Sequence, residues 1–228
     1  MISYPYQKKI AVEKIGDLEF TIECLRDLNE TIDGLFEYLK ASVSESEQER
    51  IFEDLCPYFG VVWPAARGLC EVLCERRAEF AGRRVFEVGC GLALPSLVAS
   101  LLGASEVIAS DVHVEVPRFL ARNLELNPDA RVAYRELDWS KGVQSEAEAN
   151  VTCDWIVGSD ILYERQHPEH VAKILTEWMR ATGARALIAD PGRPYLQSFV
   201  DEMKRLGFPA REASPEKRDV YVMEFARV

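Results

Sequence analysis

The stretch that decides the fold is Val85-Phe86-Glu87-Val88-Gly89-Cys90-Gly91-Leu92-Ala93-Leu94-Pro95. Its apolar first half predicts a buried strand, and Pro95 predicts the first turn of a helix, where the missing N–H of proline costs nothing. Gly89 and Gly91 stand between the two, where glycine permits a tight turn and a close approach of a ligand to the backbone. A Gly-x-Gly pair is weak by itself, but its place between a strand and a helix is typical of a cofactor-binding loop.

After Gly82 the chain continues as alternating strands and helices, which predicts a mainly parallel sheet with helices on both faces. Ligands bind such sheets at the carboxyl ends of the strands. The predicted strands are 84–88, 106–110, 131–136, 154–159, 184–189 and 219–226, and the predicted helices are 95–102, 115–126, 167–181 and 195–206.

Before Gly82 the pattern is different. Residues 8–12 and 18–25 alternate apolar and polar side chains around Gly16-Asp17, which predicts a β-hairpin. Apolar residues at helical spacing predict a helix from Trp63-Pro64 to about Arg77. Residues 41–50 are rich in Ser and Glu, which is typical of a loop or a helix start. We expect an N-terminal extension of hairpin plus helix over residues 1–60, and a cofactor-binding domain over residues 61–228.

Two acidic residues, Glu87 and Asp111, precede and follow the glycine loop in sequence. Asp111 ends the second predicted strand, ~20 residues after the glycines, where a carboxylate accepts hydrogen bonds from ribose hydroxyls. That feature fits NAD and S-adenosylmethionine equally. A dinucleotide site also needs a third glycine, where this chain has Leu94, whereas the ammonium and sulfonium of S-adenosylmethionine favour a carboxylate such as Glu87 two residues before the first glycine. The sequence therefore favours S-adenosylmethionine.

A third carboxylate, Asp138, follows the third predicted strand together with Trp139. Asp138 could accept from an adenine amino group while the indole of Trp139 packs near the ring. The alternative interpretation is that Asp111 and Asp138 simply cap the helices that follow them. Three carboxylates at three successive strand ends favour the ligand site.

The composition limits the class of protein. Of 228 residues 48% are apolar, no apolar run approaches the ~20 residues that span a bilayer, and the first residues lack a secretory pattern, so we expect a cytoplasmic protein with no membrane partner. The formal net charge of -11 repels phosphate backbones, so we expect no nucleic-acid partner. Six scattered cysteines without CxxC spacing predict no metal site, and His167 and His170 are interpreted as surface residues at a helix start.

Four segments taken together resemble a known family. They are Trp63-Pro64-Ala65-Ala66, Glu87-Val88-Gly89-Cys90-Gly91, Leu137-Asp138-Trp139 and Ser159-Asp160-Ile161-Leu162-Tyr163. This pattern is similar to methyltransferase family 16, whose seven-β-strand enzymes include many protein-lysine methyltransferases. In addition, Asp190-Pro191-Gly192-Arg193 resembles a segment of the bacterial members that act on the electron-transfer flavoprotein.

The resemblance implies a Rossmann-like class I methyltransferase fold with a seven-stranded sheet, and S-adenosyl-L-methionine as cofactor with S-adenosyl-L-homocysteine as product. The chain departs from the family at Ala93, where glycine is usual, and a methyl group there would narrow the cofactor pocket. The expected catalytic residues are Asp160 and Tyr163, and the expected cofactor-binding residues are Trp63, Glu87, Gly89, Cys90, Gly91, Asp111, Asp138, Trp139 and Ser159.

The residues after the fourth predicted strand suggest how an amine would be methylated. A lysine acceptor is mostly protonated, with a reference pKa of ~10.4. Asp160 could hold this ammonium, and the ring face of Tyr163 could stabilise it, with Trp63 as a second wall. The alternative is that Asp160 caps the helix beginning near His167 while the two aromatic residues pack in the core. Arg193 lies at the same rim, where it could contact a partner or form a surface salt bridge.

These features predict an S-adenosylmethionine-dependent N-methyltransferase whose acceptor is a lysine of a protein. Small-molecule methylation is the first alternative, because the same fold accepts amines, phenols and acids. A non-catalytic partner-binding protein with a degenerate cofactor site is the second, and Leu94 argues against an NAD-dependent oxidoreductase. The pattern makes no prediction of the oligomeric state.

Overall fold

The computed structural model describes residues 4–142, 151–217 and 219–227. None of the helices in these ranges is long and apolar enough to cross a membrane. The strands are β1 Lys8–Ile15, β2 Leu18–Leu25, β3 Arg84–Val88, β4 Glu106–Asp111, β5 Ala133–Glu136, β6 Trp155–Ser159, β7 Arg185–Asp190, β8 Ala210–Lys217 and β9 Val220–Phe225. The α-helices are α1 Leu28–Ser42, α2 Glu45–Leu55, α3 Pro64–Glu75, α4 Leu94–Leu101, α5 Val116–Leu126, α6 His167–Thr182 and α7 Pro194–Arg205, with 3-10 helices at Pro57–Gly60, Arg77–Glu79 and Trp139–Lys141.

Seven strands form one sheet in the order β5-β4-β3-β6-β7-β9-β8. Strands β3 to β7 are parallel, and β9 runs antiparallel to both β7 and β8. The chain leaves β3 for β4 and β5 on one side and returns to β6 on the other, so the order reverses between β3 and β6. A ligand crevice is expected at the carboxyl ends of strands around such a reversal. The sheet confirms the predicted mainly parallel, seven-stranded architecture.

Helices cover both faces of the sheet, and successive strand residues point into two different cores. Val85 belongs to the core beneath α3, α4 and α5, whereas its neighbour Phe86 belongs to the core beneath α6 and α7. Both faces are therefore apolar, which is why the central strands read as continuous apolar runs in the sequence.

The N-terminal hairpin β1–β2 forms a separate two-stranded sheet that docks on α5. Two asparagines one helical turn apart make the connection. The Asn123 side-chain oxygen accepts from the Glu23 N–H at 2.7 Å, and Asn127 accepts from the Thr21 N–H at 3.0 Å and donates to the Thr21 carbonyl at 2.8 Å. Buried Phe20 of the hairpin joins the same core as α3 to α5, so the extension packs against the rest of the fold.

The strands and helices predicted after Gly82 agree with the structure to within two residues at each end. The sequence-based prediction gave no bounds for strand β8, for helices α1 and α2, or for the three 3-10 helices. Strand β8 pairs with β9 through register shifts at 212–214 and 214–217, which interrupt the alternation that marks a strand. Helix α2 has no fully buried residue, and its apolar side chains Ile51, Phe52 and Leu55 are half-buried at the cavity.

Candidate active site

A cavity of about 910 Å³ opens at the carboxyl ends of the central strands. This is where the strand order reverses, as the topology requires. Its wall is drawn from the N-terminal segment between residues 50 and 66, the glycine loop 89–95, residues 111–114 after β4, Trp139, residues after β6 between 159 and 164, and Arg193.

The glycine loop forms one side of the cavity. Gly89, Gly91 and Ala93 have φ angles of 63°, 51° and 60°, so left-handed residues alternate along the turn. A side chain at Gly91 would lie 2.9 Å from the carbonyl oxygen of Phe59, so both conformation and packing require glycine there. Ala93 is completely buried in the cavity wall, and the left-handed conformation costs a non-glycine residue about 1–2 kcal/mol, which accounts for the usual glycine.

Glu87, a predicted cofactor-binding residue, lies behind the glycine loop. Its side chain is fully buried behind the loop and is absent from the residues lining the cavity. One carboxyl oxygen accepts from the N–H and hydroxyl of Ser96 at 3.0 Å and 2.5 Å, while the other is buried without a partner among the described residues. Burial raises the pKa of Glu87 to about 8. Glu87 therefore supports the glycine loop from behind through the first turn of α4.

Asp111 lies in the cavity wall, as predicted from its place at the end of β4. Its carboxylate accepts from the Gly91 N–H and the His113 N–H, each at 2.9 Å, so it joins the glycine loop to the segment after β4. Burial raises the pKa of Asp111, although these two N–H groups favour its charged form. The His113 ring stacks on Phe59 with ring centroids 4.1 Å apart, which connects this corner to the N-terminal segment.

Asp138 and Trp139 are adjacent in sequence, but their side chains have different surroundings. Trp139 lines the cavity. Asp138 does not: it caps the 3-10 helix Trp139–Lys141 by accepting from the Ser140 N–H at 3.0 Å, and it pairs with Lys141 at 2.8 Å. These partners lower the pKa of Asp138 against the effect of its burial. The capping interpretation thus describes the Asp138 side chain.

Asp160 lies in the cavity wall and is held by two other elements. It is only 8% exposed, with φ at 58°. One oxygen binds Arg193 at 2.5 Å and the other accepts from the Ala65 N–H at 3.2 Å. Asp160 therefore caps α3, whereas the alternative sequence interpretation assigned it to the helix beginning at His167. Arg193 also reaches the fully buried Asp190 at 3.2 Å, so one guanidinium joins two carboxylates.

Two tyrosines stand at the rim of the cavity. Tyr163 and Tyr58 are each 45% exposed, and their ring centroids lie 6.1 Å apart. The Tyr163 ring also packs edge-to-face against the His167 ring, with centroids 4.5 Å apart. His167 is buried, which corrects its expected surface position, and its Nδ1 lies 2.9 Å from the Ile161 carbonyl, which only accepts. Because burial lowers the pKa of His167, the neutral ring donates this bond and fixes the segment that carries Tyr163.

Three further predicted residues also lie in the wall: Trp63, Cys90 and Ser159. Trp63 donates its indole N–H to the Tyr58 carbonyl at 2.9 Å and so holds the rim tyrosine in place. The Cys90 N–H donates to the Ser110 carbonyl at 2.9 Å, which ties the glycine loop to β4. Among the residues that the structure describes, no three His, Cys, Asp or Glu side chains are grouped to hold a metal.

A comparison with family models gives one match that covers most of the chain. The model of methyltransferase family 16, described as lysine methyltransferase, matches residues 44–205. The chain belongs to the lysine methyltransferase family.

Individual members of the family are moderately similar. The calmodulin-lysine N-methyltransferase of Arabidopsis thaliana is 33% identical over 152 residues, which are 64% of this chain and 49% of that protein. The electron transfer flavoprotein beta subunit lysine methyltransferase of Xenopus laevis is 29% identical over 151 residues, which are 62% of this chain and 55% of that protein. The chain thus spans about half the length of these two relatives.

Solved structures confirm the Rossmann-like class I methyltransferase fold. The 16S rRNA N2 G1207 methyltransferase of T. thermophilus, determined with AdoMet and guanosine, superposes with a TM-score of 0.64 at 16% identity. The alignment covers 98% of this chain and 52% of that chain.

The predicted site residues account for part of the cavity wall, and Trp63 is the one predicted site residue on its N-terminal side. Tyr58 and Phe59 lie in the 3-10 helix Pro57–Gly60 and contact Tyr163 and His113. The signal that could have found them is their position directly before Trp63-Pro64, the start of the first family segment. Val112 was also missed; it follows Asp111, lines the cavity and is 51% exposed, which is unusual for valine.

Proposed function

We propose that the protein is an S-adenosylmethionine-dependent N-methyltransferase that acts on a lysine side chain of a protein. The observation that carries the proposal is the joint position of Asp111 and Asp160 in one cavity, at opposite sides of the glycine loop strand, in a chain of the lysine methyltransferase family. Asp111 fits a cofactor bearing ribose hydroxyls, and Asp160 fits a cationic acceptor.

The residues of the cavity fit S-adenosylmethionine. This cofactor supplies a methyl group on a positively charged sulfonium. Asp111 would accept from its ribose hydroxyls, the exposed Val112 and the Trp139 indole offer apolar surface to its adenine, and the backbone of the glycine loop would hold its methionine portion. Glu87 and Asp138 contribute indirectly, through the loop and through the turn that carries Trp139. The third glycine of a dinucleotide site is replaced by the buried Leu94, which disfavours NAD.

The other side of the cavity suits an aliphatic amine. Tyr58 and Tyr163 expose large ring surfaces that would cover a lysine side chain and attract its cation. Asp160 would accept a hydrogen bond from the amine and orient its lone pair. A lysine ammonium must lose a proton before it reacts, and a cationic neighbour together with partial burial lowers its pKa. Positioning and desolvation are therefore the contributions of this chain.

Several observations favour a protein acceptor. The relatives named above are lysine methyltransferases of calmodulin and of the electron transfer flavoprotein beta subunit. The rim tyrosines are open to solvent, so a side chain can enter while the rest of a macromolecule stays outside. The net charge of -11 disfavours nucleic acid as the partner. We also propose a cytoplasmic location, on the sequence arguments alone.

Two matched substitutions test the assignment of the two carboxylates. We expect Asp111→Asn to weaken binding of S-adenosylhomocysteine by about tenfold or more, because charged acceptors bind hydroxyls more strongly than neutral ones. We expect Asp160→Asn to leave that affinity within about twofold but to remove most methyl transfer to protein from a cell extract. Asparagine tolerates the left-handed conformation of Asp160, so the fold is kept.

Calorimetric titration and transfer of tritiated methyl groups provide the two readouts. Asp129→Asn, on an exposed turn, is the control and should behave as the wild type. Full methyl transfer by Asp160→Asn would show that Asp160 only caps α3 and does not bind the acceptor. Label confined to the small-molecule filtrate of the extract would make the protein a small-molecule methyltransferase.

A further inference from the structure

We propose that Arg193 is a positioning residue for methyl transfer: it holds the Asp160 carboxylate in the cavity wall, in the orientation that receives the acceptor amine. This inference rests on the proposed function, because it assigns a role to a neighbour of the acceptor-binding carboxylate.

The contacts of Asp160 fix both of its oxygens. Arg193 Nη2 binds Oδ1 at 2.5 Å, and the N–H of Ala65 donates to Oδ2 at 3.2 Å. The two partners belong to the segment after β7 and to the first turn of α3, so the carboxylate is held from two directions. Each oxygen retains a lone pair, and Asp160 lines the cavity. The arrangement thus presents a fixed acceptor to a donor entering from the rim.

The position of Arg193 is fixed by several contacts besides its ion pair with Asp160. The fully buried Asp190 accepts from the backbone N–H groups of Gly192 and Arg193, both at 2.8 Å, and binds the Arg193 guanidinium at 3.2 Å. Pro194 directly follows and begins α7, which restricts the backbone further. The end of β7 therefore determines where the guanidinium stands, and the guanidinium determines where Asp160 stands.

The charges around this point also depend on Arg193. The groups that face Asp160 are Arg193, the buried Asp190 and the N-terminus of α3, whose Ala65 N–H donates to it. With both carboxylates ionised, one guanidinium leaves a net charge of about −1, which suits one incoming ammonium. Burial raises the pKa of Asp160 and the charge of Arg193 opposes that rise.

Removal of Arg193 would leave two buried carboxylates facing each other. Their repulsion and burial would favour protonation of one of them toward neutral pH. A protonated Asp160 cannot pair with an ammonium. Loss of the guanidinium would also raise the pKa of an ammonium bound at Asp160, which delays its deprotonation. Both effects shift the rising limb of the pH–rate profile to higher pH.

The test compares Arg193→Gln and Arg193→Lys with the wild type. The matched control is Arg67→Gln: Arg67 also pairs with a carboxylate, Glu13, its side chain is also 28% exposed, and it does not line the cavity. The substrate is the extract protein that the wild type labels with tritiated methyl groups. The measurements are kcat and KM for that protein between pH 6 and 10, and the affinity for S-adenosylhomocysteine.

We expect Arg193→Gln to lose about tenfold or more in kcat at pH 7 and to recover part of it at higher pH. Arg193→Lys should keep the rising limb of the wild type, because it keeps the charge, while Arg67→Gln should match the wild type throughout. Affinity for S-adenosylhomocysteine should stay within about twofold in all of them, which separates this effect from misfolding. A uniform loss of kcat at every pH in Arg193→Gln and Arg193→Lys alike would overturn the proposal.

A second measurement needs no acceptor. In protein carrying 13C-labelled aspartate carboxyls, with the Asp160 signal assigned through Asp160→Asn, that signal should titrate at higher pH in Arg193→Gln than in the wild type or Arg193→Lys. An unchanged titration would contradict the role of Arg193. If the wild type labels no protein while the titration shifts as expected, the proposed function fails and the coupling between Arg193 and Asp160 stands.

Discussion

Glu87 shows how a single residue can keep its sequence signature while its physical role differs from the expected one. Its carboxyl group is fully buried and binds Ser96, away from the cavity. A carboxyl group in this setting favours the protonated form, because desolvation penalises the charge more than two hydrogen bonds stabilise it.

The raised pKa of Glu87, about 8 against an ordinary 4.5, makes stability depend on pH. Between these values the native protein binds more protons than the unfolded chain, so the contribution of Glu87 is complete below the unfolded pKa and is lost as pH rises through the folded pKa. From pH 5 to pH 8 this loss is on the order of 3 kcal/mol. Glu87→Gln resembles the protonated form and should lack this loss of stability with rising pH.

Urea unfolding at pH 5, 6, 7 and 8 measures this prediction. The free energy of unfolding of Glu87→Gln, relative to the wild type, should increase steadily across that range, while other titrating groups cancel in the difference. A difference that stays constant with pH would mean that Glu87 is ionised in the folded protein throughout.

At the scale of elements, the hairpin β1–β2 depends on two helical side chains. Asn123 is completely buried and accepts from the Glu23 N–H at 2.7 Å, so α5 offers β2 the hydrogen bonds that a further strand would supply. Without it, a partly buried backbone donor would be left without a partner.

We therefore expect Asn123→Ala to lower the free energy of unfolding by about 1–3 kcal/mol, the cost of an unsatisfied buried group. The midpoint of urea unfolding should fall while the slope stays constant. The exposed Asn29→Ala on α1 is the control and should change the midpoint little. Equal midpoints for the two variants would show that the hairpin is held by its apolar contacts alone.

Elements differ in how far the sequence could predict them. The strands β3, β6 and β7 are buried on both faces and therefore appear in the sequence as apolar runs. Their positions could be predicted from these runs alone. Strand β8 contains register shifts that interrupt its period, and the apolar residues Ile51, Phe52 and Leu55 of α2 line the cavity and are absent from the core. Both elements are defined by what they pair with or cover in three dimensions.

At the scale of the whole molecule, the cavity joins parts of the chain that are far apart in sequence. Residues at strand ends, such as Asp111 and Asp160, were predictable because parallel topology gathers strand ends at one edge. The contact of Tyr58 with Tyr163 joins residues more than 100 positions apart, and no local pattern announces it. Asp138 follows a strand too, yet its carboxylate binds Lys141 and Ser140 and does not line the cavity.

The central claim is methyl transfer to a lysine of a protein, and the chemical identity of the labelled product tests it most directly. An extract protein labelled with tritiated methyl groups by the wild type would be hydrolysed completely in acid and its amino acids separated. We predict that the label elutes with methylated lysine. Label eluting with methylated arginine, or released as a volatile product of an ester, would contradict the claim.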